Sequence, residues 1–239
     1  MRRSDRTSNA ALVSRLAGVL AVALMAGPAS VRAQTVTIDE GTFHLRVNGR
    51  DAGTETFIIR QTGTGADAQV IARSRVTLET GTDTALVQYG EALRPAAYSI
   101  QVGGDPGERV SGRVVGRRVS ARIVSSEGEN MREYLVSEGA VVIDDAVAHQ
   151  YYFLARRFRE GESRIAVIVP REARQLWLAV EPHPDETVSV GTGALAATRL
   201  VLTPEQGDVR TLWIDSDARI LRLEIPSRNF VAERAAPPR

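Results

Sequence analysis

Alternation with a period of two residues runs through the chain from Thr35 onward, and that pattern commits it to β-structure. Phe43, Leu45 and Val47 alternate with Thr42, His44 and Arg46, so one strand face is apolar and the other polar. Asn48-Gly49 follows; this pair suits a type I′ hairpin turn, in which both central residues need positive φ. A second strand is expected over residues 54–60, ending at the turn cluster Gly63-Thr-Gly65-Ala-Asp67. Val76 and Leu78, then Val110 and Val114 before a turn at Gly116, repeat the pattern. Val119, Ala121 and Ile123 oppose Arg118, Ser120 and Arg122, and Leu176, Leu178 and Val180 do the same later. Leu221, Leu223 and Ile225 close the series after a turn at Asp215-Ser-Asp217. Turn signals recur at about the 8–12-residue spacing of a sandwich, barrel or half-barrel. Arg164-Ile-Ala-Val-Ile-Val169 is apolar on both faces, as a strand covered on both sides would be.

One segment breaks the rule. Val147, Tyr151, Leu154 and Phe158 are spaced i, i+4, i+7 and i+11, which predicts a helix over about 145–159. Asp144-Asp145 stands at its N-terminus, Arg156, Arg157 and Arg159 in its last turn, and Gly161 at the C′ position. The expected fold is therefore mainly β: a strongly curved antiparallel sheet, half-barrel or open barrel, with one main helix packed across it.

The N-terminus reads as a secretory signal. Arg2, Arg3, Arg6 and Arg15 precede an uncharged core at residues 16–25, then Gly27-Pro28 and Val31-Arg32-Ala33. The core is too short to span a bilayer as a helix. Cleavage is expected after Ala33, giving a signal peptide at 1–33 and one antiparallel β domain at 34–239, frayed from about 233, in the periplasm or secreted, with no transmembrane anchor. Ser4-Asp5 stands where a twin-arginine signal wants bulky apolar residues.

The chain has no cysteine, which excludes disulfides, acylation of an N-terminal cysteine and a thiol nucleophile. Removing residues 1–33 takes five arginines and one aspartate, leaving 25 basic against 28 acidic residues. A slightly acidic domain argues against nucleic acid as a partner. Every basic residue is arginine.

Catalytic chemistry finds little purchase, and no catalytic, cofactor-binding or metal residue is assigned. The three histidines are scattered: His44 on a polar strand face, His149 about 200° round the helix from Val147, and His183 in a proline-flanked loop. No Gly-x-Ser-x-Gly elbow accompanies them. Glu181-Pro-His183-Pro-Asp185-Glu186 has metal-ligand types without evident convergence. Asp215-x-Asp217 opens like a calcium loop but lacks the later carboxylates. Gly191-Thr-Gly193-Ala-Leu-Ala196 matches a degenerate dinucleotide pattern, yet strands flank it where a helix should follow. Asp144-Asp145 is read as a helix cap. Arg156, Arg157, Arg159, Arg164, Arg171 and Arg174 either meet an acidic partner or complement the helix dipole and solvate a face. Tyr152 and Phe153 either pack in the core or line a cavity between helix and sheet.

Gly193-Ala-Leu-Ala-Ala-Thr-Arg-Leu-Val-Leu-Thr203 and Leu212-Trp-Ile-Asp-Ser-Asp-Ala-Arg-Ile-Leu-Arg-Leu-Glu-Ile-Pro226 are similar to the C-terminal part of uncharacterised bacterial secreted proteins. Gly41-Thr-Phe-His-Leu-Arg-Val-Asn-Gly49, with Gly53-Thr-Glu55 after the turn, fits the same group. These proteins resemble the periplasmic lipoprotein-carrier architecture, a curved antiparallel sheet around a helical lid. The resemblance implies a hydrophobic concavity between sheet and helix and carries over no binding residue. Function is thus expected to be a non-enzymatic module for a lipid or other apolar ligand held between sheet and helix. The alternatives are an envelope interaction protein docking a protein partner and, third, a hydrolase using His183.

Overall fold

The computed structural model describes residues 35–79, 81–103, 107–144 and 147–239. The signal peptide expected at 1–33 and Asp145 lie outside the described residues.

Fifteen strands form a single sheet. They are β1 (Thr35–Val47), β2 (Arg50–Thr62), β3 (Gln69–Leu78), β4 (Gly81–Tyr89), β5 (Pro95–Val102), β6 (Glu108–Val115), β7 (Arg118–Ser125), β8 (Gly128–Leu135), β9 (Val141–Val142), β10 (Arg164–Val169), β11 (Arg174–Val190), β12 (Gly193–Pro204), β13 (Arg210–Ile214), β14 (Ile220–Ile225) and β15 (Phe230–Arg234). Their order is β8 to β1 in reverse sequence, then β15 back down to β9, with β1 and β15 joining the two runs. Pairing is antiparallel except for the short β9–β10 contact. The mainly β, open and curved antiparallel sheet expected from the alternation is what the chain adopts.

Curvature follows from connectivity. β8 and β9 lie at opposite ends of the strand order, yet only residues 136–140 join them. Fifteen strands laid flat at about 4.8 Å spacing would put the edges about 65 Å apart, whereas five residues reach about 20 Å at most. The sheet must curl. The linking segment is held against β11, whose Gln175 accepts from the Ser137 backbone N–H and donates to its hydroxyl at 3.2 Å. Val136 N–H bonds to the Arg117 carbonyl at 2.8 Å.

Local chemistry places the turns. Asn48 and Gly49 have φ of 52° and 73° between Val47 and Arg50, which pair directly, as the Asn-Gly signal requires. The long β11 carries Pro182 and Pro184 beyond Ala179, where β10 no longer pairs with it; a proline there removes no ladder hydrogen bond. His183 is consequently in a strand, at a register shift before Glu186, and not in the loop expected from its flanking prolines. Leu223 and Ile225 face the main core as expected. Leu221 does not, because an irregularity between Trp213 and Ile214 shifts the β13–β14 register; it packs instead with Val188, Val190 and Ala197 in a separate small cluster.

The helix α1 (Tyr151–Arg159) follows a 3₁₀ turn at Ala148–Gln150. Gly161, with φ of 100°, ends it and donates to the Phe158 carbonyl. Every residue from Val147 to Ala155 is buried, not only the predicted stripe, because the segment packs inside the curl. Nor does the C-terminus fray from 233. Glu233 and Arg234 are strand, Arg234 is buried, and Ala235 N–H bonds to the Thr42 carbonyl at 2.8 Å.

Candidate functional site

The inside of the curl, where a ligand was expected between sheet and helix, is packed with side chains. Phe153 stacks on Tyr89 with ring centroids 3.9 Å apart, and Tyr152 meets Phe153 edge-on at 5.4 Å. The Tyr89 hydroxyl accepts from the Val142 N–H at 3.1 Å. Burial drives the Tyr89 phenol pKa well above its usual range. Of the two readings open for Tyr152 and Phe153, core packing is the one realised.

Two buried polar sites anchor this interior. Glu55 of β2 places Oε2 2.6 Å from the Ala148 N–H and Oε1 2.6 Å from His149 Nδ1. The carboxylate thus serves as the cap of the 3₁₀ turn, whose own N-cap residue Val147 makes no side-chain cap bond. His149 Nδ1 faces that carboxylate, and its buried Nε2 has no hydrogen-bond partner among the described residues. His149 therefore does not point away into solvent: its ring stacks on Phe57 at 5.9 Å. The second site is Asp39 with Arg234, a two-pronged pair at 2.6 and 2.9 Å. Both acids were legible but missed: Glu55 is in phase with inward Phe57 and Ile59, and Asp39 with inward Phe43.

The other sequence candidates do not converge. His44 is exposed on the outer face. Asp185 accepts from Thr198 at 2.8 Å and Glu186 accepts from Trp213 Nε1. Among the described residues no group of three or more His, Asp or Glu is placed to hold a metal ion. Asp215 holds its own turn, accepting from the Asp217 and Arg219 N–H groups at 2.9 Å. Gly191 is the β11–β12 hairpin turn. Asp144 is buried and accepts from Arg171 Nε at 3.1 Å. The remaining clustered arginines are also engaged: Arg156 with Glu160, Arg157 with Glu162, Arg159 with the Asp215 carbonyl, Arg164 with Glu205 and Arg174 with Glu172.

A wide, open hollow lies on the outer face of β2–β5, with a volume of about 620 Å³, within the about 300–1,000 Å³ of small-molecule sites. Strand register builds it from two parallel rows. Ile58, Arg73, Leu86 and Ser99 are successive cross-strand partners, and Thr56, Arg75 and Thr84 form the row beside them. All seven line the hollow, as does Glu40, the β1 partner of Ile58. Ile58 and Leu86 are the informative residues. Each is apolar at an outward position, between the inward pairs Phe57/Ile59 and Ala85/Val87, where alternation calls for polar side chains. Arg73 and Arg75 are exposed and, among the described residues, have no ion-pair or hydrogen-bond partner. A second hollow of about 360 Å³ adjoins, sharing Glu40, Thr56 and Phe57 and walled by Ala236 and Pro237.

No family model, curated protein or solved structure matches the chain. Among the described residues no helix is long and apolar enough to cross a membrane.

Proposed function

We propose that the chain is a non-enzymatic binding module of the bacterial envelope that holds a lipid or other apolar small molecule in the outer-face groove of β2–β5. The observation that carries this reading is the outward pairing of Ile58 and Leu86 across Arg73 in a hollow of about 620 Å³. Both side chains are half-buried on the outward face, and apolar groups at such positions are concentrated at binding sites. The place differs from the one expected because α1 and Tyr89 fill the inside of the curl. The secretion pattern at residues 1–33 supports a compartment in which apolar molecules need carriers. Binding of an environment-sensitive apolar dye, displaced by added fatty acid, tests the proposal. The wild-type chain should bind the dye, and Leu86→Glu should abolish binding without lowering the melting temperature. Equal dye binding by both chains would end the reading.

A second reading, docking of an envelope protein, rests on β8. That strand pairs on one side only, and Met131 and Leu135 are exposed there by 71% and 67%. Unpaired strand edges can accept a partner strand. Loss of cross-linking to any envelope protein on Met131→Lys would support it, and unchanged cross-linking would count against it.

A further inference from the structure

The geometry points to a single-chain anionic amphiphile as the ligand of the outer groove, its acidic head on the row Thr56–Arg75–Thr84 and its alkyl chain along Ile58 and Leu86. This rests on the groove being the binding site. The two rows differ in chemistry although they are neighbours on the same strands. In one, Arg75 stands between two threonine hydroxyls, its cross-strand partners on β2 and β4. In the other, Arg73 stands between two branched aliphatic side chains. An arginine flanked by aliphatics lays its stem on them and extends its head to the rim. The guanidinium between hydroxyls offers a cation with additional donors on either side, which suits a carboxylate or phosphate.

Charge complementarity fixes the sign of the ligand. Some surface arginines are paired with carboxylates, as in Arg118–Glu133 and Arg122–Glu129, while others, such as Arg60 and Arg113, have no such partner among the described residues; the groove is set apart by holding two of the latter side by side. Arg73 and Arg75 have no such partner among the described residues, and only one carboxylate, Glu40, lines the hollow. Glu40 lies on β1, two strands from Arg75 and at the end of the aliphatic row. An acidic head is therefore drawn to the β3–β4 side, away from it. A volume of about 620 Å³ on an exposed sheet face accommodates one such molecule.

The test is calorimetric titration of the folded chain with decanoate and with decanol, which share an alkyl chain and differ in the head. Decanoate should bind at least about tenfold more tightly, the scale of a charge-assisted hydrogen bond, and the advantage should shrink as salt is raised. Arg75→Gln should remove that advantage, bringing decanoate affinity down to that of decanol. The double change Thr56→Val with Thr84→Val should reduce it in part, so the inference does not hang on one variant. Equal affinity for both compounds, or a decanoate preference that survives Arg75→Gln, would overturn the headgroup assignment while leaving the groove in place. Failure of both compounds to bind would remove the groove itself as the site.

Discussion

The Glu55 carboxylate lies 2.6 Å from His149 Nδ1, and both side chains are 0% exposed. A strand residue thereby sets the start of a helical segment 94 positions away in sequence. The same carboxylate takes the Ala148 N–H and a longer 3.3 Å bond from the His149 N–H, so its loss strands three polar groups in the core. Glu55→Ala should destabilise the fold by about 3–5 kcal/mol. Glu55→Gln, which keeps one acceptor oxygen, should cost less. Urea unfolding monitored by far-ultraviolet circular dichroism checks both, and a loss under about 1 kcal/mol for Glu55→Ala would contradict the capping role.

Arg234 and Asp39 make the corresponding anchor between the two ends of the described chain. Arg234→Ala leaves a buried carboxylate without its partner, and a loss of about 3–5 kcal/mol is expected. Replacing both, with Asp39→Leu and Arg234→Met, should recover most of it, since the desolvation of both charges is then no longer required. A chain insensitive to Arg234→Ala would mean that the terminus frays after all.

Tyr98 lies flat against the backbone of β6. A Cβ added at Gly112, its cross-strand partner, would sit 2.2 Å from the Tyr98 ring. Gly112→Ala should therefore cost about 1–3 kcal/mol by displacing a core ring. Gly116→Ala serves as a comparison, because nothing lies within 4 Å there, although its φ of 58° adds some backbone strain.

The tyrosines predict the alkaline limit of stability. Burial raises the phenol pKa of Tyr89, Tyr98, Tyr134 and Tyr152, with the Tyr134 hydroxyl adding to the effect at Tyr98. Their folded pKa values lie above the unfolded value of about 10, so between the two the folded chain binds more protons than the unfolded one. Their contribution is fully present below about pH 10 and is lost as pH rises through the folded values. Ultraviolet tyrosinate absorbance should therefore rise in one step that coincides with loss of circular dichroism. A gradual titration of these phenols near pH 10 in a folded chain would contradict their burial.

Much of this was readable from period two. The Asn48-Gly49 hairpin, the both-faces-apolar β10 and the Gly161 stop each reflect a local rule that tertiary context left intact. What escaped were residues whose partners are remote. A helical wheel assumes one wet face, so it set His149 away from the apolar stripe; inside the curl no face from Val147 to Ala155 is wet. Glu55 is named by its phase with Phe57 and Ile59, but only the fold supplies the helix that needs it. The groove has the converse signature, Ile58 and Leu86 out of phase with the inward residues. Single apolar residues facing out are common, and register alone makes these two neighbours of the same arginine.

Native mass spectrometry of the gently purified chain tests most directly whether that groove carries a molecule. One defined additional mass is expected, removed by organic extraction and missing from Leu86→Glu. A bare polypeptide mass for the wild-type chain, unchanged after mixing with decanoate or decanol, would contradict it.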